Sequence, residues 1–285
     1  MPRWQSGIVA AFLATGLVAV SPHASAQAQG QDSFARLPGI TLHYVDWGGS
    51  GPVLLFLTGL GDSARAFDSL APHFTARSHV LGLTRRGQGQ SDAPASGYDP
   101  PTLAGDIRAF LDLMAIEKAT LVGFSAAGSE MTYFAGAYPH RVASLVYLDA
   151  ADDYRSGYEL ATNPRSKYPL PLPDPPGTLG EIVRASRVAD PDYTKVAARA
   201  LAFFVVYNTP YIPVDANAGL RARLLRRWED YGRPFQQQRI THFTRDMRRG
   251  EVIELHDAEH GDFLRPSAVQ TRTVHEMRRF LFSPP

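Results

Sequence analysis

The sequence contains no cysteine, which excludes disulfides, a lipoprotein anchor, thiolate metal sites and cysteine catalysis together. It also lacks an excess of one charge: 29 basic residues stand against 28 acidic ones, a formal net charge of +1, and the two signs are interspersed. Such a chain builds none of the one-sign field that nucleic acid or an anionic membrane selects. The densest basic patch is Arg221, Arg223, Arg226 and Arg227. Leu220, Leu224, Leu225 and Trp228 recur there at helical spacing, so these arginines read as the solvated face of a helix. No internal repeat is visible.

What the chain has is bulk. Its 285 residues, 44% of them hydrophobic, suffice for one sizeable core, and a single domain with a modest insertion is expected. The 22 prolines and 24 glycines fit a loop-rich enzyme. Residues 1–26 are set apart from that core. Arg3 supplies a positive n-region, Ile8 to Val20 an apolar stretch too short to span a bilayer, and Ala24-Ser25-Ala26 a cleavage site. The expectation is a signal peptide, export to the periplasm or beyond, and no integral membrane association once it is cleaved. Cleavage removes one arginine and no acid, leaving 28 basic and 28 acidic residues.

Ile40 to Trp47 alternates as a half-buried strand, while Val53 to Leu57 (VLLFL) is an unbroken apolar run of the kind a strand covered on both faces shows. His79 to Leu83, Ala119 to Val122, Val142 to Leu148, Leu201 to Tyr207 and Val252 to Leu255 repeat the second type. Helical patterns lie between or after them at Ala64 to Phe74, Leu103 to Met114, Ala126 to Tyr138 and Ser267 to Phe282. Strands alternating with helices predict an α/β fold with a mostly parallel sheet and helices on both faces. Ligands of such sheets sit at the carboxyl ends of the strands. The core is expected over 27–151 and 201–285. Residues 152–200 interrupt the alternation, and Asn163 to Gly177 carries six prolines, too many for a core segment. The expectation there is a small inserted lid, with Tyr154, Tyr158, Tyr168 and Leu170 available to line a pocket.

The stretch Ala119 to Gly128 (ATLVGFSAAG) carries the strongest chemical signal: a short strand, a turn containing Gly123 and Ser125, then small residues opening a helix. A nucleophile elbow requires this order. The serine sits at the tip of a strained turn, and its neighbours are small because backbone passes close to backbone. Ala127 stands where the motif asks for glycine, which comes one place later at Gly128. A rival reading makes Ser125 the N-cap of the helix that Pro139 stops. A serine hydroxyl needs a base, and the chain offers nine histidines, one of them in the leader. His260 is the best placed, a short loop after the last strand and before Gly261 and the closing helix. His256 is the competitor, while His43 and His275 read as surface or local hydrogen-bonding residues.

With Ser125 and His260 in this order, the chain resembles the α/β-hydrolase family over essentially the whole mature length. GFSAAG is similar to the family's elbow, LTGLGD to its oxyanion loop, and TRRGQGQSD, Thr84 to Asp92, to the loop after the next strand. The resemblance implies that the backbone N–H groups of Leu60 and Ala126 form the oxyanion hole. Thr58 departs from a common family histidine, and Thr84 from a common aspartate. Most members carry the catalytic acid after the seventh strand, where the first acid here is Asp215; a minority carry it after the sixth, where Asp149 ends LVYLDA. Asp149 is the first assignment and Asp215 its competitor. The resemblance further implies a serine hydrolase, foremost a carboxylesterase acting on a small ester-type substrate without metal or organic cofactor. Lactonase, peptidase and carbon–carbon bond hydrolase activities would use the same triad. The serine argues against the dehalogenase and epoxide-hydrolase branches, which use a carboxylate nucleophile.

Other classes offer weaker matches. His256, Glu259 and His260 in HDAEH fit the H-x-x-E-H pattern of a zinc hydrolase, which needs both histidines on one helical face. Gly59, Gly61 and Ala64 spell G-x-G-x-x-A after a buried strand, with Arg85 and Arg86 after the next, as an NADP-binding oxidoreductase would have them. A hydrolase-fold protein that binds without turnover is the third alternative.

Overall fold

The structure, a computed structural model, describes residues 29–151, 176–187, 189 and 191–283. The leader, residues 1–26, and the proposed lid residues Tyr154, Tyr158, Tyr168 and Leu170 lie outside the described residues. Eight strands form one sheet: β1 (Gln31–Leu37), β2 (Ile40–Gly48), β3 (Val53–Leu57), β4 (His79–Leu83), β5 (Ala119–Phe124), β6 (Val142–Leu148), β7 (Arg199–Val206) and β8 (Gly250–His256), in the spatial order β1-β2-β4-β3-β5-β6-β7-β8. β1 and β2 make a hairpin, and β2 meets β4 antiparallel; from β4 to β8 every pairing is parallel.

The unbroken apolar runs follow from burial on both faces. In β3, Leu55 and Leu57 face one core while Leu54 and Phe56 face the other; in β6, Leu145 and Tyr147 divide from Val146 and Leu148 in the same way. The first core packs against α1 (Pro100–Leu113), α2 (Ala127–Ala137) and α5 (Arg233–Asp246) through Phe110, Phe134 and Phe243; the second packs against α6 (Ala268–Phe282) through Met277 and Phe280. Each phenylalanine buried this way contributes about 2 kcal/mol. Asp99 and Ser267 cap α1 and α6, accepting from the backbone N–H groups of Thr102 and Gln270, and Pro139 ends α2.

The structure corrects several expectations. Ala64 to Phe74 is two 3-10 turns, Ala64–Phe67 and Ala71–Phe74, rather than one helix. The apolar spacing that suggested a helix is real, since Phe67, Leu70 and Phe74 are buried. Asp68 breaks the segment, its carboxylate accepting from Trp47 Nε1 at 2.9 Å, and Pro72 lacks the N–H a longer helix needs. The sheet resumes at Arg199, two residues before the expected core boundary. Within the insertion the described residues include α3 (Gly177–Arg187). The arginine-rich segment is α4 (Ala218–Arg227), which bears no buried residue and passes through a π-turn, Trp228–Gly232, into α5.

Candidate active site

Ser125 follows the last residue of β5 and has φ +52°. This left-handed conformation costs a residue with a Cβ about 1–2 kcal/mol. Packing holds the turn: the Ser125 N–H donates to Leu148 O at 3.2 Å, and the Gly128 N–H donates to Ser125 O at 3.1 Å. A Cβ on Gly128 would lie 1.6 Å from Ala150 O, and one on Gly123 would lie 3.2 Å from Met131. Ala127 would meet a Cβ at 123 only in ordinary contact, 3.4 Å. The close approach therefore falls at Gly128, which is why alanine is tolerated at 127. The helix-cap reading fails: α2 starts at Ala127, its N-cap is Ala126, and no side chain caps it.

β6 lies beside β5 and delivers Asp149 one residue past its end, with φ +46° and its N–H on Phe203 O at 2.9 Å. Asp149 Oδ2 lies 2.6 Å from His260 Nδ1. Asp149 Oδ1 accepts from the Val205 N–H at 3.0 Å and pairs with Arg239 Nη1 at 2.9 Å. Burial pushes this carboxyl up. The His260 hydrogen bond, the Arg239 and His260 charges and the Val205 N–H more than offset that and hold it below the ordinary carboxylate range. The ionised acid fixes the proton on Nδ1 and turns Nε2 into the basic nitrogen.

His260 follows β8 by a short loop and opens a 3-10 turn, His260–Leu264. Its ring stacks on Phe124, the residue before Ser125, with centroids 4.6 Å apart. Its backbone N–H donates to the Tyr207 hydroxyl at 3.0 Å, and its side chain is 41% exposed. The structure thus brings Asp149 to His260 and His260 alongside the elbow. Asp215, the competing acid, is exposed on the loop after β7 and makes no hydrogen bond or ion pair among the described residues. His256 ends β8 and pairs with Glu254 at 3.5 Å.

Leu60 lies on the loop after β3, the strand that pairs with β5, and Ala126 follows Ser125 in the elbow. No acceptor among the described residues takes the N–H of either, and the loop is held by the Gly61 N–H on Gln88 Oε1 at 2.6 Å. Asp62 lies on the same loop; its burial pushes its carboxyl up, opposed by the His260 charge. Thr84 accepts from the Ala64 N–H and bonds His43 Nδ1, both at 2.8 Å, and His43 Nε2 reaches Asp32 at 2.8 Å. His43 is accordingly fully buried rather than on the surface. Thr58 is buried and takes the Arg85 N–H at 3.4 Å.

The motifs of the rival classes adopt the wrong local structure. HDAEH leaves a strand at His256, turns through Asp257 at φ +59°, and puts Glu259 at the N-cap of a 3-10 turn, so the two histidines share no helical face. Among the described residues no cluster of histidines and acids is arranged to hold a metal. The G-x-G-x-x-A segment opens a 3-10 turn, while Arg85 is paired with Glu130 and Arg86 with Asp106. Neither arginine is available to a phosphate.

Sequence reading missed Arg239, Tyr207 and the stacking role of Phe124. Arg239 sits in a largely polar helix with no local signal, and its role exists only once β6 and α5 converge. A cavity of about 720 Å³ adjoins His260, walled by Tyr207, Tyr211, Leu224, Trp228 and Tyr231. Among the described residues, most of its wall comes from the segment after β7 and the rest from the loop that carries His260. A second cavity of about 450 Å³, beside Ser129, Tyr133 and Lys195, touches neither Asp149 nor His260.

A family model described as "alpha/beta hydrolase fold" matches residues 52–193. A 2-(acetamidomethylene)succinate hydrolase of Mesorhizobium japonicum is 34% identical over 101 residues, 35% of this chain and 36% of that protein. A non-heme chloroperoxidase of Streptomyces lividans is 35% identical over 115 residues, 39% of this chain and 42% of that protein. The chain thus spans about two fifths of the length of the curated relatives it matches. Among solved structures, a thermophilic esterase from Thermogutta terrifontis superposes with a TM-score of 0.62 at 16% identity, covering 88% of this chain and 98% of that one.

Proposed function

This chain belongs to the α/β-hydrolase fold family, and we propose that within it the protein is an exported serine hydrolase of carboxylic esters. The reading rests foremost on Asp149 Oδ2 lying 2.6 Å from the Nδ1 of a histidine stacked beside the Ser125 elbow. Ser125 Oγ attacks the acyl carbon as His260 Nε2 takes its proton. The tetrahedral oxyanion is received by the N–H groups of Leu60 and Ala126. Collapse expels the alcohol, which leaves with the proton that His260 returns. A water then repeats the sequence on the acyl-enzyme, freeing acid and serine. Asp149 stays ionised and keeps the imidazole oriented. No step calls on a metal or organic cofactor.

The names of the Mesorhizobium and Thermogutta proteins, a hydrolase and an esterase, agree with this chemistry. Lactones, peptides and activated carbon–carbon bonds are alternative substrates of the same triad. Hydrolysis of short and medium p-nitrophenyl esters by the mature protein, run with a fluorophosphonate probe and with EDTA, tests the reading. Turnover abolished by the probe, spared by EDTA and accompanied by label on Ser125 is expected. Activity lost to EDTA but indifferent to the probe would move the chemistry to the HDAEH segment. Export is tested by N-terminal sequencing of secreted material, which should begin after Ala26; a start at Met1 would defeat cleavage.

A further inference from the structure

The cavity beside His260 contains a cation that ester hydrolysis as such does not use. Its walls are aromatic, with Tyr207, Tyr211, Trp228 and Tyr231 around about 720 Å³, and Arg227, the last residue of α4, lines it with them. Arg227 is half-buried, and its guanidinium carbon lies 5.8 Å from the centre of the Tyr231 ring. Among the described residues no carboxylate pairs with it. Among the described residues, the more deeply buried Arg85, Arg86 and Arg239 are engaged, by Glu130, Asp106 and Asp149 in turn. Two of the nearby acids are engaged, while Asp230, one turn on, is exposed and does not pair with Arg227. Glu259, also on the cavity, is held by Arg265 at 3.0 Å, and Glu229, two residues from Arg227, by Arg233 at 2.9 Å.

A guanidinium presents a planar fork of donors that matches a carboxylate, and partial removal from water strengthens that match. Aromatic walls add stacking for a flat ring. We infer that Arg227 is the specificity-determining residue of the substrate cavity, and that the favoured substrates are esters carrying a free carboxylate on a planar aromatic group. The ring would lie among Tyr211, Trp228 and Tyr231, its carboxylate on Arg227, with the ester carbonyl directed to Ser125. This assignment of substrate class rests on the serine-hydrolase reading of the site, but the anion site itself can be detected without turnover.

Trp228 lines the cavity and reports occupancy by its fluorescence. Titration of the mature protein with benzoate and with its uncharged isostere benzamide should show benzoate binding tighter by about tenfold or more, as a charge-assisted pair requires. The Trp228→Phe variant should lose the signal, Arg227→Gln the preference for the anion, and Arg227→Lys only part of that preference. Equal binding of the two ligands, a preference that survives Arg227→Gln, or no binding of either would overturn the inference. Kinetics on p-nitrophenyl 4-carboxybenzoate against p-nitrophenyl benzoate should show the same preference in kcat/KM, carried by KM and diminished in Arg227→Gln. The two readings fail separately. Fluorophosphonate label on Ser125 with no charge preference would remove the anion site alone. Absence of label and turnover, with Arg227-dependent benzoate binding intact, would remove the hydrolase alone.

Discussion

Arg239 sets its Nη1 2.9 Å from Asp149 Oδ1, with both side chains more than nine-tenths buried, 7% and 4% exposed. Its Nη2 also donates to Val205 O at 2.7 Å, while the Val205 N–H donates to Asp149 Oδ1. One residue of β7, through its N–H and its carbonyl, thus anchors both members of the pair. The pair leaves Oδ2 to His260, so the arginine fixes the carboxylate that fixes the imidazole. Arg239 touches none of the reacting atoms; it is a positioning residue.

Removing the guanidinium takes a positive charge away from both Asp149 and His260, so each keeps its proton to higher pH. Arg239→Gln should therefore move the acid limb of the kcat/KM profile to higher pH, lower kcat by about tenfold, and destabilise the fold by about 3 kcal/mol. Arg239→Lys should restore part of the limb. Thermal unfolding together with pH–rate profiles separates the effects. A stability loss with an unmoved acid limb would reduce Arg239 to a packing residue.

Asp149 and Asp215 make opposite predictions. Asp149→Asn presents an amide where the imidazole needs an acceptor, favours the wrong tautomer, and should lower kcat by about 10⁴-fold. Asp215→Asn changes an exposed side chain and should leave kcat within about a factor of two. Esterase rates of the two purified variants decide the assignment, and the reverse order would transfer the acid to the loop after β7.

The legible parts of this protein are those where one local pattern decides the outcome. Val53 to Leu57 and Val142 to Leu148 read as strands because burial on both faces demands unbroken apolar runs. The left-handed turn at Ser125 was legible because close packing restricts its neighbours to small residues. β1 escaped notice because QDSFARL is an edge strand that buries only Ala35 and Leu37. α5 escaped because RPFQQQRITHFTRD buries only Arg239 and Phe243. The partners of Asp149 were illegible for a different reason: Val205, Arg239 and His260 come from three separate elements, and no spacing along the chain encodes their convergence. The aromatic wall beside His260 was illegible because its residues are scattered from Tyr207 to Tyr231; the insertion residues expected to line a pocket lie outside the described residues.

Strain at the elbow has a measurable signature. Ser125 carries a Cβ at φ +52°, a conformation glycine adopts without penalty. Ser125→Gly and Ser125→Ala should both abolish esterase activity and fluorophosphonate labelling. Their stabilities should differ, with glycine the more stable by about 1 kcal/mol, because alanine keeps the strained Cβ. Urea unfolding of the two variants measures the difference. An alanine variant at least as stable as the glycine variant would mean that the turn is unstrained.

Glu130, in the first turn of α2, is fully enclosed, and burial pushes its carboxyl up to about 7 against the opposing pull of Arg85, whose Nε lies 2.7 Å from Oε2. In the unfolded chain the same group titrates near 4.5. Between those values the folded protein holds a proton that the unfolded chain has released, so each rise in pH across the window favours unfolding. The Glu130 contribution is therefore fully present below pH 4.5 and lost by the time pH passes about 7. Glu130→Gln cannot titrate and removes this contribution, whatever its effect on absolute stability. Urea denaturation of both proteins at pH 5 and pH 8 should show the wild type losing more stability between the two than the glutamine variant, the other titrating groups being common to both. A parallel loss in the two proteins would mean that Arg85 holds Glu130 ionised throughout, and that the buried pair, rather than a buried acid, joins the loop after β4 to the helix behind Ser125.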